Sequence, residues 1–269
     1  MKRFLLPLLL FLILSPAAFA GQADTILVHS SAMNKDIKCV VIRPSGGGRL
    51  SVIYLLHGHS GSYAQWPGLA PQLKDKADQL NILMVCPDGG FDSWYFDSPI
   101  DPSIRYETFI IKELIPYIDA HYPTIPDRSH RAITGLSMGG HGSLYLGIRH
   151  KDLFGAAGAT SGGVDFRPFP ESWGIKKDLG TFADNKANWD NNTVMQTVDS
   201  LKNGQLKLIF DCGTSDFFLT VNRRLHEKLL DKKIDHDYTE RPGGHNSAYW
   251  RNSIDYQLLF FWKYFNGIN

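Results

Sequence analysis

The sequence predicts an α/β fold: a mainly parallel central sheet with helices on both faces. Three observations predict it. Short apolar, β-branched runs recur along the chain and end in Gly, Asp or Ser. Stretches with apolar residues at helical spacing lie between those runs. No internal repeat or low-complexity linker breaks the alternation. Continuous apolar runs suit strands covered on both faces, and strands alternating with helices suit parallel pairing through crossovers.

Taken in order, residues 1–20 (MKRFLLPLLLFLILSPAAFA) carry basic Lys2 and Arg3, an apolar stretch over 4–14 and the small-x-small end Ala18-Phe19-Ala20. That pattern reads as a signal peptide cut near Ala20. Its apolar stretch is short of the ~20 residues a spanning helix needs, and no cysteine near the cut could carry a lipid. The expected mature chain, 21–269, is one domain, exported to the periplasm or beyond, with no stable membrane anchor. Next, TILVHSS and IKCVVIRP predict an opening hairpin. LSVIYLLHG, NILMVCPDGG, HRAITGLS, FGAAGATSGG and LKLIFDCGT predict successive sheet strands. In SIRYETFIIKELIPYIDAHYP, Ile111, Leu114, Ile115, Ile118 and Tyr122 recur at helical spacing, with Pro116 expected to kink or interrupt the helix. Residues 162–206, with Trp173 and Trp189, are less regular and suggest an insertion or lid over the C-terminal edge of the sheet. A last helix over about 246–265 places Trp250, Ile254, Leu258, Phe261, Trp262 and Phe265 on one stripe, a core-facing pattern.

Composition narrows the function classes. The net charge is +1, with 28 basic and 27 acidic residues, which leaves no electrostatic footprint for nucleic acid. Cys39, Cys86 and Cys212 sit in or beside apolar runs, as buried hydrophobes do, and their odd number argues against a disulfide framework. His57 and His59 have no evident third ligand nearby, so no metal site is expected.

Chemistry concentrates in HRAITGLSMGGHGSLYLG. Gly135-Leu136-Ser137-Met138-Gly139 matches G-x-S-x-G, preceded by a strand pattern and followed by a helical one, the context in which a serine is exposed on a strained turn. A serine hydroxyl needs a base, and the base an orienting carboxylate. His245 follows Gly243-Gly244 at a strand-to-helix junction and is the expected base; His141 and His226 read as structural. Asp211 and Asp216 both lie at the end of LKLIFDCGTSDFF. Asp216, deeper in the loop, is the expected partner, and Asp211 the residue that ends the strand. Oxyanion donors are expected from the backbone N–H groups of Met138, after the nucleophile, and His59, in the loop after an early strand.

Together LLHGHSGSYAQW, PDGGFDSWYFDSP, ETFIIKELIPYIDAHYP, GLSMGGHGSLYL, CGTSDFF and PGGHNSAYW resemble the esterase D-like branch of the α/β-hydrolases. That branch holds S-formylglutathione hydrolases, tributyrin-type carboxylesterases, feruloyl and acetylxylan esterases and mycolyltransferases. The resemblance spans nearly all of residues 21–269. It implies an α/β-hydrolase fold without a separate cap domain, no cofactor, and Ser137, His245 and Asp216 as nucleophile, base and acid. It also implies that SWYFDSP (93–99) approaches the pocket, which makes Trp94 and Tyr95 candidate substrate contacts, with core packing as the alternative role. The expected function is an exported serine carboxylesterase acting on short-chain or aromatic acyl esters, including acetyl or feruloyl groups on plant polysaccharide. The alternatives are an exported acyltransferase of the mycolyltransferase type and a catalytically silent binding protein on the same scaffold.

Overall fold

The computed structural model describes residues 21–268, so the segment read as a signal peptide lies outside the described residues. Strands β1 (Gln22–Ser30) and β2 (Lys35–Arg43) form the opening antiparallel hairpin, with Gln22 opposite Arg43 and Ser30 opposite Lys35. Six strands follow: β3 (Ser51–Leu56), β4 (Ile82–Pro87), β5 (Arg131–Gly135), β6 (Ala156–Thr160), β7 (Lys207–Gly213) and β8 (Asp237–Arg241). They form one eight-stranded sheet in the order β1-β2-β4-β3-β5-β6-β7-β8. The β2–β4 pair is antiparallel, and every pairing from β4–β3 to β7–β8 is parallel.

The unbroken apolar runs of the central strands follow from cover on both faces. In β3, Val52, Tyr54 and Leu56 enter one core cluster, while Ile53 and Leu55 enter the other. The first cluster takes Ile110, Leu114 and Ile118, Leu144 and Ile148 of the helix Met138–Arg149, and Leu225 and Leu229 of the helix Leu219–Asp231. The second takes Leu73 and Ala77 of the helix Leu73–Leu80, with Ile254, Leu258 and Phe261 of the helix Ser247–Phe265. Cys39, Cys86 and Cys212 are buried and free.

Helical chain over 106–121 changes its winding partway. A π segment, Phe109–Leu114, leads into the α-helix Ile115–His121 with Pro116 in its first turn. Proline has no N–H and its ring crowds the carbonyl four residues earlier, so a widened turn just upstream relieves the clash. The interruption expected at Pro116 takes this form.

Residues 162–206 contain the short helices Ile175–Leu179, Lys186–Asn191 and Val194–Thr197. They bury Val164, Phe166, Trp189 and Val194 in the first core cluster, so the segment packs as part of that core. Arg167 fastens it, gripping both oxygens of Asp165 at 2.8 and 2.9 Å and Asp190 at 2.6 Å. One group here works against the fold. Asp178 is 5% exposed, and its Oδ2 has no hydrogen-bond partner among the described residues. Burial, reinforced by the charges of Asp92 and Asp101, pushes its carboxyl up to about 7.

The folded state therefore binds this proton more tightly than the unfolded chain, whose carboxyl titrates near the ordinary value of about 3.9. Its contribution is fully present below that value and is lost as pH rises toward 7. Asp178→Asn should raise Tm by roughly 5 °C at pH 8 and change it little at pH 4. Thermal melts at the two pH values check this; an equal shift at both, or none at pH 8, contradicts it.

Candidate active site

β5 ends at Gly135, and two residues later Ser137 begins the helix Met138–Arg149 with φ 56° and ψ −116°. A non-glycine residue there is strained, at ~1–3 kcal/mol, and persists only where its surroundings hold it. Three backbone bonds do so. The Ser137 N–H donates to Thr160 O at 3.0 Å, and its carbonyl accepts from His141 N–H at 3.0 Å and Gly163 N–H at 3.2 Å. The motif glycines let strand and helix close on this turn. A methyl group at Gly135 would lie 2.4 Å from Gly139 O, and one at Gly139 2.3 Å from Leu56 O. Of the nine non-glycine residues with positive φ among those described, six (Ser60, Trp94, Tyr95, Ser137, Ser161 and Trp173) lie in the segments around this turn.

β7 and β8 deliver the other two side chains. Their exit loops are tied together: Thr214 N–H donates to Arg241 O at 2.9 Å and Ser215 N–H to Gly243 O at 2.8 Å. Asp216 follows on the first loop and His245 on the second. His245 Nδ1 lies 2.9 and 3.1 Å from the Asp216 carboxylate oxygens, and its Nε2 lies 2.8 Å from Ser137 Oγ. The carboxylate can only accept, so Nδ1 carries the proton and Nε2 accepts from the serine hydroxyl. Phe218 N–H donates to Asp216 Oδ1 at 2.8 Å and fixes the carboxylate from behind. The Asp216 side chain is wholly buried, while Ser137 keeps 8% of its surface exposed.

Asp211 is used differently. It is buried on the β7 side of the last helix, where Thr160 Oγ1, Ser253 Oγ and Gln257 Nε2 donate to it at 2.8, 2.6 and 3.0 Å. Three donors on one carboxylate fasten the last helix to the sheet, and His245 is not among them. His141 is likewise internal: its nitrogens lie 3.0 Å from Trp94 O and 2.8 Å from Asn192 O, and burial pulls its pKa down to about 4. His226 bonds His236 at 2.7 Å, away from Ser137.

The loop after β3 runs beside the serine; a methyl group at Gly58 would lie 3.4 Å from Ser137 Cβ. Buried His57 fixes this loop. Gly89 N–H donates to its Nε2 at 2.7 Å, which leaves Nδ1–H to donate to Gly58 O at 2.8 Å. Gly61 N–H donates to the same carbonyl at 3.0 Å. In a trans peptide the N–H points opposite to the C=O, so anchoring Gly58 O aims the His59 N–H the other way. Met138 N–H, first in its helix, has no acceptor within that helix.

Trp94 and Tyr95 lie behind the site, at 1% and 0% exposure. The Tyr95 hydroxyl donates to His57 O at 3.1 Å, and the Trp94 ring is tilted against Trp173 at 5.7 Å. The rings that border His245 are instead Phe217, at 4.3 Å between centroids, with Trp250 and Phe218 edge-on at 5.0 and 5.5 Å. The sequence marks Trp250 only as part of the core-facing stripe of the last helix and does not single out Phe217, whose one available signal is the Phe217-Phe218 pair directly after Asp216.

The family described as "Putative esterase" matches residues 30–261. The chain belongs to this esterase family. An acetyl esterase of Caldicellulosiruptor saccharolyticus is 27% identical over 219 residues, covering 76% of this chain and 80% of that protein. Mouse (Mus musculus) S-formylglutathione hydrolase is 23% identical over 260 residues, 86% of this chain and 89% of that one. The solved structure of a ferulic acid esterase superposes with a TM-score of 0.78 at 28% identity, over 91% of this chain and all (100%) of the other. The fold is that of the α/β-hydrolase esterases, as the strand order indicates.

The two acids should separate cleanly. Asp216→Asn should cut ester turnover by roughly 10³-fold or more, through loss of the His245 tautomer, with little change in Tm. Asp211→Asn should lower stability by about 2–3 kcal/mol while the remaining folded enzyme turns over near normally. Paired denaturation and initial-rate measurements check this, and the reverse pattern contradicts it.

Proposed function

We propose that the protein is an exported serine carboxylesterase that hydrolyses short-chain or aromatic acyl esters, including acetyl or feruloyl groups carried on polysaccharide. The observation that carries this reading is the unbroken Asp216–His245–Ser137 hydrogen-bond chain on a strained turn. Ser137 Oγ attacks the ester carbonyl carbon as its proton passes to His245 Nε2. Asp216 steadies the resulting imidazolium through Nδ1–H. The N–H groups of Met138 and His59 receive the oxyanion, where a single such donor is worth roughly 3 kcal/mol. Collapse expels the alcohol, which takes the proton from His245. Water then adds to the acyl-enzyme by the same base, and the acid leaves.

Support for the acyl range comes from the relatives named acetyl esterase and ferulic acid esterase. Export rests on the signal-like sequence of residues 1–20; among the described residues no helix is long and apolar enough to cross a membrane.

Turnover of 4-nitrophenyl acetate, 4-nitrophenyl butyrate and methyl ferulate by the chain from Gly21, beside Ser137→Ala, tests the reading. Ser137→Ala should lose roughly 10³-fold or more in kcat on every ester turned over, with its fold intact. Near-normal turnover by the alanine variant overturns Ser137 as nucleophile. Preference for methyl ferulate assigns an aromatic acyl pocket, and preference for acetate a small one.

A further inference from the structure

The sheet is open along β8. This strand ends the sheet order, and among the described residues no strand pairs with its outer edge. Successive residues of a strand turn their backbone groups to opposite edges. Arg241 O accepts from Thr214 N–H on the β7 side at 2.9 Å, so Asp237, Thr239 and Arg241 bond toward β7. Tyr238 and Glu240 therefore aim their N–H and C=O groups outward. Edge strands are commonly guarded by outward charges. Here two of those charges are folded back: the Arg241 guanidinium lies 4.1 Å from the Tyr256 ring centroid, and Arg223 grips both Glu240 oxygens at 2.7 Å. Beside the edge runs a groove lined by Asp237, Thr239, Arg241, Tyr256, Leu259 and Lys263. It leaves Tyr256 48% and Leu259 47% exposed, an apolar face with nothing packed on it among the described residues.

The edge is complementary to itself. In an antiparallel pair centred on Thr239, Asp237 of one copy stands opposite Arg241 of the other, and Tyr238 opposite Glu240. The two outward-facing residues then exchange N–H and C=O, which is the pairing such a ladder requires. Asp237 and Arg241 fall in the closer, non-hydrogen-bonded pair, on the face that carries Tyr256. The Asp237 carboxylate has no hydrogen bond or ion pair among the described residues to give up. The neighbouring register, centred on Glu240, sets like charges opposite each other and puts Pro242, which lacks an N–H, opposite Tyr238. We infer that the protein pairs with a second copy of itself through β8, joining the two sheets into one. The two-fold axis brings Tyr256 and Leu259 of both copies to the same side of the joint, where they cover each other. The strands run opposite ways across the axis, so the two Ser137 sites open at opposite ends and pairing closes neither.

Sedimentation and disulfide trapping of the chain from Gly21 test this. Wild type should sediment as a dimer at micromolar concentration. Asp237→Lys, which sets a cation opposite Arg241, should weaken dimerisation at least about tenfold and leave the Tm of the monomer unchanged. Thr239→Cys meets its own copy on the axis at a Cα separation of about 4.5 Å, within the span of a disulfide, so mild oxidation should link it. Asp235→Cys, outside the ladder, should stay unlinked. Cys39, Cys86 and Cys212 are buried and give no background. A wild type that stays monomeric overturns the proposal. So does a dimer that Asp237→Lys leaves intact, or one in which Asp235→Cys links as readily as Thr239→Cys.

Discussion

Ser137 is held at φ 56°, and the candidate site is arranged around that turn. The conformation is unfavourable by itself, so β5, β6 and the following helix must each contribute to it. β6 accepts the Ser137 N–H at Thr160, Gly163 returns a donor to its carbonyl, and the helix supplies His141 N–H. The cost of the turn has a chemical use: it lifts Oγ out of the plane of the sheet and into reach of the loops after β7 and β8. A relaxed serine at the same point would start an ordinary helix and point elsewhere.

The parallel sheet explains why those loops arrive together. β3, β5, β7 and β8 run the same way, so their C-terminal ends open on one edge. Each contributes something different there: an anchored peptide from β3, the serine from β5, the carboxylate from β7 and the imidazole from β8. The two acids of β7 and its loop divide the work by depth. Asp211, still in the strand, takes its donors from Thr160, Ser253 and Gln257 and becomes part of the frame. Asp216, five positions on, clears the sheet and meets His245. His57 is a comparable internal device, since its two nitrogens bridge Gly89 and Gly58 and set the direction of one peptide group.

Much of this was legible in the sequence, for a physical reason. Strands such as β3 and β4 are covered on both faces, so their residues must be apolar throughout, and the glycines around Ser137 are demanded by close backbone contacts. Such constraints are local and leave a local mark. The bonds from His245 span 29 residues to Asp216 and 108 to Ser137, and only knowledge of the turn chemistry linked them beforehand. Where neighbours are set by loop path alone, the sequence was silent or misleading. Pro116 announced an interruption, yet nothing marked the π winding before it. For Trp94 and Tyr95 the sequence left substrate contact and core packing both open, and the structure buries both rings. Phe217 took the border of His245 with no periodic pattern to announce it.

The central claim is that the strained turn and His245 together make Ser137 nucleophilic. An aryl alkylphosphonate reacts covalently with such a serine, and intact-mass measurement followed by peptide mapping locates the adduct. The account predicts one phosphonyl group per chain, on Ser137, with labelling slowed by at least about a hundredfold in His245→Ala. An adduct on another residue, or equally fast labelling without His245, would contradict it.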